Sequence, residues 1–357
     1  MKKPTVSVVM PTFNREKYIA ESIKSVLLST LKELELIIVD DGSTDGAVEI
    51  IKQFAEKDPR VIYVNNIKHK GVVGASNLGT RMAKGKYIAR MDDDDISLPE
   101  RFQKEVAFLE KHPDIMACGC WVETMPDKGK GTIWQLPTDP AEIKSMMLFC
   151  GAIANPTCLI RRSVFFDLGF WFTTYKGIQI AEDYDFWTRL GEKHKIANIP
   201  EVLFRYRWHQ TNASTSDNSA QALRVKHIML RQLKKLGLTP NAEEIGLHQK
   251  IGKSEIMPGR KAPEMINRWA DKLIAANKKT CVYPEPAFTK IVNKKKEEAL
   301  ELHRKFREKF KYFVIIIAFI AFAGKVLRIF FSGRIVDRWY QIFLKIIKKT
   351  PLKNKFT

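Results

Sequence analysis

The chain has 357 residues, of which 45% are hydrophobic and 28% charged, a composition typical of a folded protein and not of a disordered one. Its five cysteines have no metal-ligand spacing, which argues against a cysteine-bound metal and predicts reduced thiols in a cytosolic protein. The formal net charge is +20, which leaves nucleic acid and anionic lipid as candidate partners. No long apolar segment follows the basic start, so we expect a first β-strand there and no signal peptide.

Short β-rich segments alternate with segments of helical periodicity over the first ninety residues. Strands are predicted at 6–10, 34–39, 61–64 and 87–91, and helices at 18–28, 48–54 and 75–83. Single helices between strands predict an α/β fold with a mainly parallel, doubly wound sheet. In such sheets, ligands bind at the carboxyl ends of the strands.

The pattern becomes mixed after residue 98. Helices are predicted at 100–111 and 183–192, and strands at 115–122 and 202–208. Residues 217–310 are mostly polar and of helical periodicity. We therefore expect a ligand-binding domain over 1–216, a helical region over 217–310 and a separate tail over 311–357.

The tail combines positive charge with apolar residues. The last 57 residues hold 14 Lys and Arg against three acidic residues, and 312–324 carry no charge. A 13-residue helix spans about 20 Å, too short for a hydrocarbon core of roughly 30 Å. Apolar residues recur at helical spacing beyond it, which predicts an amphipathic helix on an anionic membrane surface. Docking onto the globular part, or insertion with snorkelling Lys325 and Arg328, are the alternatives.

Polar clusters follow three of the four predicted strands, and the cluster at 92–95 is four consecutive aspartates. Adjacent carboxylates repel one another unless a cation lies among them. Mg²⁺ and Mn²⁺ take oxygen ligands from one or two carboxylates and from substrate phosphates. Since residues i and i+2 of an extended segment share a side, Asp92 and Asp94 are expected to face one cation. A solvated acidic loop or a helix cap is the alternative.

Other phosphate-binding motifs are absent or incomplete. Residues 74–81 have the glycine spacing of a P-loop, but Thr80 stands where the lysine should be. No G-x-G-x-x-G follows the first strand. A P-loop ATPase or a dehydrogenase is therefore disfavoured.

Six segments in order resemble the inverting family 2 glycosyltransferases of the GT-A fold, over about residues 5–216. They are VSVVMPTFN (6–14), ELIIVDDGSTD (35–45), GASNLGTRMAKGKYIARMDDDD (74–95), NPTCLIRRSVF (155–165), EDYDFW (182–187) and YRWHQTNAST (206–215). The resemblance implies transfer from a nucleotide-diphosphate sugar. The Q-x-x-R-W pattern of processive synthases is absent, so we expect addition of a single sugar.

The resemblance also implies roles for individual residues. The nucleotide-sugar would be held by Pro11, Thr12, Asn14, Asp41, Asn77 and Asp93, with Asp41 recognising the base, usually uracil. A divalent cation, Mn²⁺ or Mg²⁺, would be bound by Asp92, Asp94 and His209. Asp183 matches the catalytic base, and Asp95 and Glu182 would face the sugar or the acceptor.

Together these features predict a glycosyltransferase at the cytoplasmic face of the cell membrane, with a UDP-sugar donor and a glycan or lipid-linked glycan acceptor. A polyprenyl-phosphate acceptor is the alternative within the same chemistry. A nucleic-acid-binding protein or nucleotidyltransferase is disfavoured, because the basic residues adjoin an apolar segment and the predicted site is acidic. We expect no nucleic-acid partner.

Overall fold

The computed structural model describes residues 3–66, 71–127, 129–175, 177, 179–209 and 219–330, with 310–330 described as helical backbone. The strands are β1 Val6–Thr12, β2 Leu34–Asp40, β3 Val61–Asn65, β4 Tyr87–Arg90, β5 Ile96–Ser97, β6 Ile115–Pro126, β7 Ile133–Trp134, β8 Leu159–Arg161 and β9 Lys195–Trp208. The helices are α1 Glu16–Leu27, α2 Ala47–Lys57, α3 Gly71–Met82, α4 Arg101–Lys111, α5 Pro140–Met146, α6 Ser163–Phe166, α7 Glu182–Lys193, α8 Ser219–Lys235, α9 Ala242–Gly252, α10 Ala262–Thr280 and α11 Ala287–Phe330.

The strands form one mixed sheet in the order β3-β2-β1-β4-β8-β6-β9-β5, with β7 paired to β6. β1 to β4 are parallel, as predicted. The prediction of a mainly parallel sheet is wrong for the remainder, which is mixed: β8 runs antiparallel to both β4 and β6, whereas β6 and β9 are parallel to each other. β7 is antiparallel to β6 because their short connection has no room for a crossover helix.

Both faces of the parallel half are covered by helices. Val8 and Met10 of β1 belong to one buried cluster, together with Ile23 of α1. Val9 points to the opposite face and joins a second cluster with Val73 of α3. Burial on both faces explains why β1 and β2 read as continuous apolar runs. Each fully buried Val or Ile contributes about 1.5–3 kcal/mol to stability.

β6 and β9 are longer than the sequence predicted. β9 begins at Lys195 and β6 extends to Pro126, because the two strands pair in parallel along their whole length. This pairing joins residues about eighty positions apart and leaves no local pattern. It carries the end of β9 to the same edge of the sheet as the acidic run after β4.

The C-terminal region is helical, as predicted. α11 packs against α10 and against α5 of the preceding region. Ile228, Trp269 and Phe288 belong to the same buried cluster as Val9 of the sheet. In the part of the chain that the structure describes, no helix combines the length and the apolar character needed to cross a membrane. The predicted amphipathic segment beyond Phe330 lies outside the described residues.

Candidate functional site

A cavity of 970 Å³ opens at the carboxyl ends of β1, β2 and β4, where ligands of such sheets bind. It brings together predicted residues from four distant parts of the sequence. Those that line it are Pro11, Thr12, Asp41, Asp92, Asp93, Asp94, Glu182 and Asp183. Asn14, Asn77, Asp95 and His209 are not part of its wall.

Two arginines that the sequence did not single out lie among the carboxylates. Arg90 Nη2 is 3.1 Å from Asp92 Oδ1. Arg15 Nε lies 3.5 Å from Asp93 Oδ1 and 3.5 Å from Asp94 Oδ2. Both arginines line the cavity. The sequence indicated these arginines only through their positions, because Arg15 follows the predicted pocket residue Asn14 and Arg90 is the last residue of β4.

The acidic run is held in an environment that disfavours its charge. Desolvation raises the pKa of Asp92, against the opposing effect of the Arg90 guanidinium. Desolvation and the neighbouring Asp94 raise the pKa of Asp93 to about 7, and the nearby Thr12 side chain opposes the rise. Added positive charge would therefore stabilise the ionised run.

Asp94 is in contact with His209, the residue that follows β9. His209 Nε2 is 3.0 Å from Asp94 Oδ2, and the buried imidazole stacks on Tyr18 with the ring centroids 4.8 Å apart. Among the described residues, no three acidic, histidine or cysteine side chains form a metal-ligand group. One imidazole and neighbouring carboxylates nevertheless fit Mn²⁺ or Mg²⁺, provided that substrate oxygens complete the coordination.

Asp95 is turned away from the cavity and fixes the end of β9. Its Oδ1 accepts a hydrogen bond of 2.8 Å from the Arg207 backbone N–H. Its own carbonyl oxygen accepts a hydrogen bond from Ser22. Burial raises the pKa of Asp95 well above its usual range, and the charge of Asp92 adds to the rise. The structure therefore places Asp95 behind the cavity wall and not among the residues that line it.

The predicted nucleotide residues divide into two groups. Asp41 lines the cavity, and its carboxylate accepts hydrogen bonds from Asn66 Nδ2 at 2.6 Å and from the Gly71 N–H at 2.9 Å. Asn14 has a positive φ of 54°, and its Oδ1 accepts from the Thr44 N–H at 2.8 Å, so it joins the loops after β1 and β2.

Asn77 faces a separate, smaller pocket that also contains Gly74 and Arg81. Its side-chain amide donates to the Phe172 carbonyl oxygen at 2.9 Å. The structure therefore does not bring Asn77 to the acidic run.

Glu182 and Asp183 begin α7 and line the cavity together with the acidic run. Asp183 Oδ1 accepts a hydrogen bond of 2.7 Å from the Tyr184 N–H, while desolvation raises its pKa. Desolvation and the charge of Asp183 raise the pKa of Glu182 to about 8. Because a raised pKa makes an ionised carboxylate a stronger proton acceptor, Asp183 is suited to general-base chemistry.

A buried ion pair supports the end of β4 beneath the acidic run. Arg101 of α4 lies 3.2 Å from Glu105, and both side chains are fully buried. Arg101 Nη2 also donates to the Arg90 carbonyl oxygen at 3.1 Å. Arg101 and Glu105 are four residues apart, a spacing that is typical of ion pairs on an exposed helix surface. The sequence therefore gives no sign that this pair is buried beneath the acidic run.

Comparison with known proteins agrees with the architecture. The family described as "Glycosyl transferase family 2" matches residues 7–169. An uncharacterized glycosyltransferase of Haemophilus influenzae is 34% identical over 257 residues, covering 70% of this chain and 77% of its relative. The amylovoran biosynthesis glycosyltransferase AmsE of Erwinia amylovora is 29% identical over 205 residues, 56% of this chain and 75% of that protein.

Among solved structures, TarS 1–349 of S. aureus in complex with UDP-GlcNAc superposes with a TM-score of 0.54 and 18% identity, over 86% of this chain and 92% of that chain. The fold is thus a GT-A-like mixed sheet with an acidic cavity at its strand ends. The sequence similarity identifies the chain as a member of glycosyl transferase family 2.

Proposed function

We propose that this protein transfers a single sugar from a UDP-sugar to a glycan or lipid-linked glycan acceptor, with inversion and with a divalent cation. The observation that carries the proposal is the cavity in which Asp41, the acidic run 92–94 and Asp183 converge from separate segments. TarS, whose fold this chain shares, was solved with UDP-GlcNAc, and AmsE is named for amylovoran biosynthesis. These names support a UDP-sugar donor and a role in cell-surface polysaccharide or glycolipid synthesis.

The donor is proposed to lie along the edge of the sheet, with its base at Asp41 and its diphosphate at the acidic run. Asp94 and His209 would hold the cation, together with Asp92. A bound Mn²⁺ or Mg²⁺ supplies positive charge that offsets the charge of the leaving diphosphate. Arg15 and Arg90 add positive charge from the cavity wall.

Asp183 is proposed to act on the acceptor. Its carboxylate takes the proton of the attacking hydroxyl as the new bond forms between the acceptor oxygen and the anomeric carbon. The bond from that carbon to the diphosphate oxygen breaks on the opposite face, which inverts the configuration. One carboxylate base is enough for this displacement, and the chain needs no nucleophile of its own.

We further propose that the enzyme works at the cytoplasmic face of the membrane, attached through its tail. The support is the sequence of the tail over 311–357, in which ten basic residues are interspersed with apolar ones. Each basic residue near an anionic surface adds about 1 kcal/mol to binding.

A screen of nucleotide sugars tests the proposed function directly. We expect one or more UDP-sugars to be hydrolysed slowly in Mn²⁺ or Mg²⁺ and to raise the melting temperature. EDTA should abolish both effects. No response to any nucleotide sugar in either metal would contradict the proposal.

A further inference from the structure

Three aromatic rings form a corner in the wall of the cavity, and neither the donor nor the catalytic base accounts for them. This aromatic corner consists of Trp134, Tyr206 and Trp208. The Trp134 and Tyr206 rings lie 5.3 Å apart with their planes tilted by 36°. The Trp208 ring stands nearly perpendicular to both, at 85° to Trp134 and 73° to Tyr206.

Side chains alternate between the two sides of β9, and this alternation turns the rings of Tyr206 and Trp208 toward the cavity. Tyr206 and Trp208 are two positions apart and share one side of the strand. The alternate residue Arg207 is directed elsewhere, where it pairs with Glu21 at 2.6 Å. Trp134 and Tyr206 are partly buried against the core, whereas Trp208 is 38% exposed. Trp134 and Tyr206 are thus held by packing against the core, while the Trp208 ring is accessible from the cavity.

The corner lies on the acceptor side of the proposed donor. Along the sheet, β4 and its acidic run separate β2, which precedes Asp41, from β6 and β9. Trp208 directly precedes His209, whose ring contacts Asp94. A sugar bound at the corner would therefore be next to the site of transfer but away from the nucleotide end.

The charges of the cavity argue against a phosphate at this position. Among the lining residues that the structure describes, the cationic side chains are Arg15 and Arg90. Arg90 pairs with Asp92, and Arg15 lies between Asp93 and Asp94. Both guanidinium groups therefore lie at the acidic run, and the three residues of the corner present ring faces and no positive charge.

We propose that the aromatic corner binds the pyranose ring of the acceptor, so that the acceptor is a glycoside and not a lipid phosphate. This inference rests on the proposed function and adds the acceptor class to it. A pyranose presents a face of C–H groups whose weak positive charge complements the negative face of an aromatic ring. The perpendicular third ring would limit the sugar to one orientation and so select the hydroxyl that reaches Asp183.

The test uses the full-length protein with UDP and Mn²⁺, and methyl glycosides of glucose, galactose and N-acetylglucosamine as probes. Saturation-transfer NMR measures their binding, with sorbitol as a polyol without a ring and farnesyl phosphate as a lipid phosphate. The variants are Trp208→Ala, Trp208→Phe and Trp134→Ala. Phe166→Ala is the matched control, since Phe166 is an exposed aromatic residue, 37% accessible, that lies outside the cavity.

We expect at least one glycoside to bind more tightly than sorbitol or farnesyl phosphate. Trp208→Ala and Trp134→Ala should weaken it about tenfold, while Trp208→Phe restores most of the affinity because it keeps a ring face. Phe166→Ala should bind like the wild type, and every variant should keep its affinity for UDP, which also shows that it is folded.

Three results would overturn the inference. The first is equal glycoside binding by wild type and Trp208→Ala, and the second is tighter binding of farnesyl phosphate than of any glycoside. The third is a Trp208→Ala or Trp134→Ala variant that loses affinity for the UDP-sugar but keeps its affinity for UDP, which would assign the corner to the donor sugar. A wild type that binds glycosides at the corner but no nucleotide would contradict the proposed donor and leave the corner supported. The two proposals can therefore fail separately.

Discussion

At the scale of single residues, Asp183 and its neighbour Glu182 have similar surroundings, but only Asp183 has a role in the proposed reaction. Both begin α7 and line the cavity, and desolvation raises the pKa of each. Asp183 also accepts a hydrogen bond from the Tyr184 N–H, which fixes the orientation of its carboxylate. An oriented carboxylate in a cavity that disfavours its charge is a suitable base.

Asp183→Asn tests this role, because the amide has almost the same shape but cannot accept the proton. We expect kcat to fall by roughly 10²–10⁴ with donor affinity close to wild type. Steady-state kinetics and UDP calorimetry separate the two quantities. Asp114→Asn, which changes an exposed aspartate paired with Lys195, is the control and should keep full activity. Near-normal turnover of Asp183→Asn would leave its carboxylate with only a structural role at the start of α7.

Asp41 is predicted to set the preference for the base. Its carboxylate holds Asn66 and the Gly71 N–H, so it also shapes the wall of this end of the cavity. We expect UDP to bind more tightly than GDP or CDP, and Asp41→Ala to remove the preference. Calorimetry with the three nucleotides measures it. Tighter binding of GDP by the wild type would point to a GDP-sugar donor.

The sequence indicated the residues that line the cavity better than it indicated those that support them. Asp41, the acidic run and Asp183 each follow or begin a regular element, and the topology of the sheet brings such ends together. Asn77 was expected near the donor, but its amide is bound to the carbonyl of Phe172, 95 positions away. Contacts over such distances depend on tertiary packing, which no local motif records.

At the scale of elements, the same limit explains the errors in β6, β8 and β9. β1 and β2 were predictable because they are buried on both faces and are mostly apolar. β9 begins with charged Lys195 and contains Pro200, so its first half has no strand signature of its own. Pairing with β6 supplies what the local sequence lacks.

α9 contains a buried histidine that makes the stability of the helical region depend on pH. Trp269 Nε1 donates to His248 Nδ1 at 3.1 Å, so Nε2 carries the proton and donates to the Leu148 carbonyl oxygen at 2.9 Å. Protonation of Nδ1 would place its N–H against the Trp269 indole N–H, so that two donors would face each other. Burial lowers the pKa of His248 to about 4.

Since the folded-state pKa lies below the ordinary value of 6.5, protons bind the unfolded state preferentially. The contribution of neutral His248 is therefore complete above about pH 6.5 and is lost as the pH falls toward 4, on the order of 3 kcal/mol. Thermal melts at pH 7 and pH 5 should show a smaller drop for His248→Gln than for wild type. The exposed His227→Gln should retain the wild-type drop; an unchanged drop in His248→Gln would contradict the assignment.

At the scale of the whole molecule, the proposed membrane attachment follows, in the sequence, all the residues that line the cavity. α11 is packed through its first turns, where Phe288 and Ala299 are buried and His303 Nδ1 donates a hydrogen bond to the Met257 carbonyl oxygen. A truncation after residue 311 keeps these contacts and removes the tail.

Deletion of residues 312–357 should therefore give a soluble protein that still binds UDP but no longer floats with anionic liposomes. High salt should weaken binding of the full-length protein only in part, because salt screens the basic residues and not apolar insertion. The truncated enzyme should act on a short soluble acceptor and poorly on a membrane-borne one. Equal flotation of both proteins would show that the tail is not the anchor and would favour its docking onto the globular part.

The proposed function requires residues from distant segments to form one cation-assisted site for a UDP-sugar donor. Asp94 is the residue whose replacement tests this site most directly, because both Arg15 and His209 contact its carboxylate. The direct measurement is calorimetric titration of UDP into wild type and Asp94→Ala, each with Mn²⁺ and with EDTA, and Asp114→Ala as control. We predict binding by wild type and the control in Mn²⁺ only, and its loss in Asp94→Ala. Equal UDP affinity in all four combinations of wild type or Asp94→Ala with Mn²⁺ or EDTA would contradict the account.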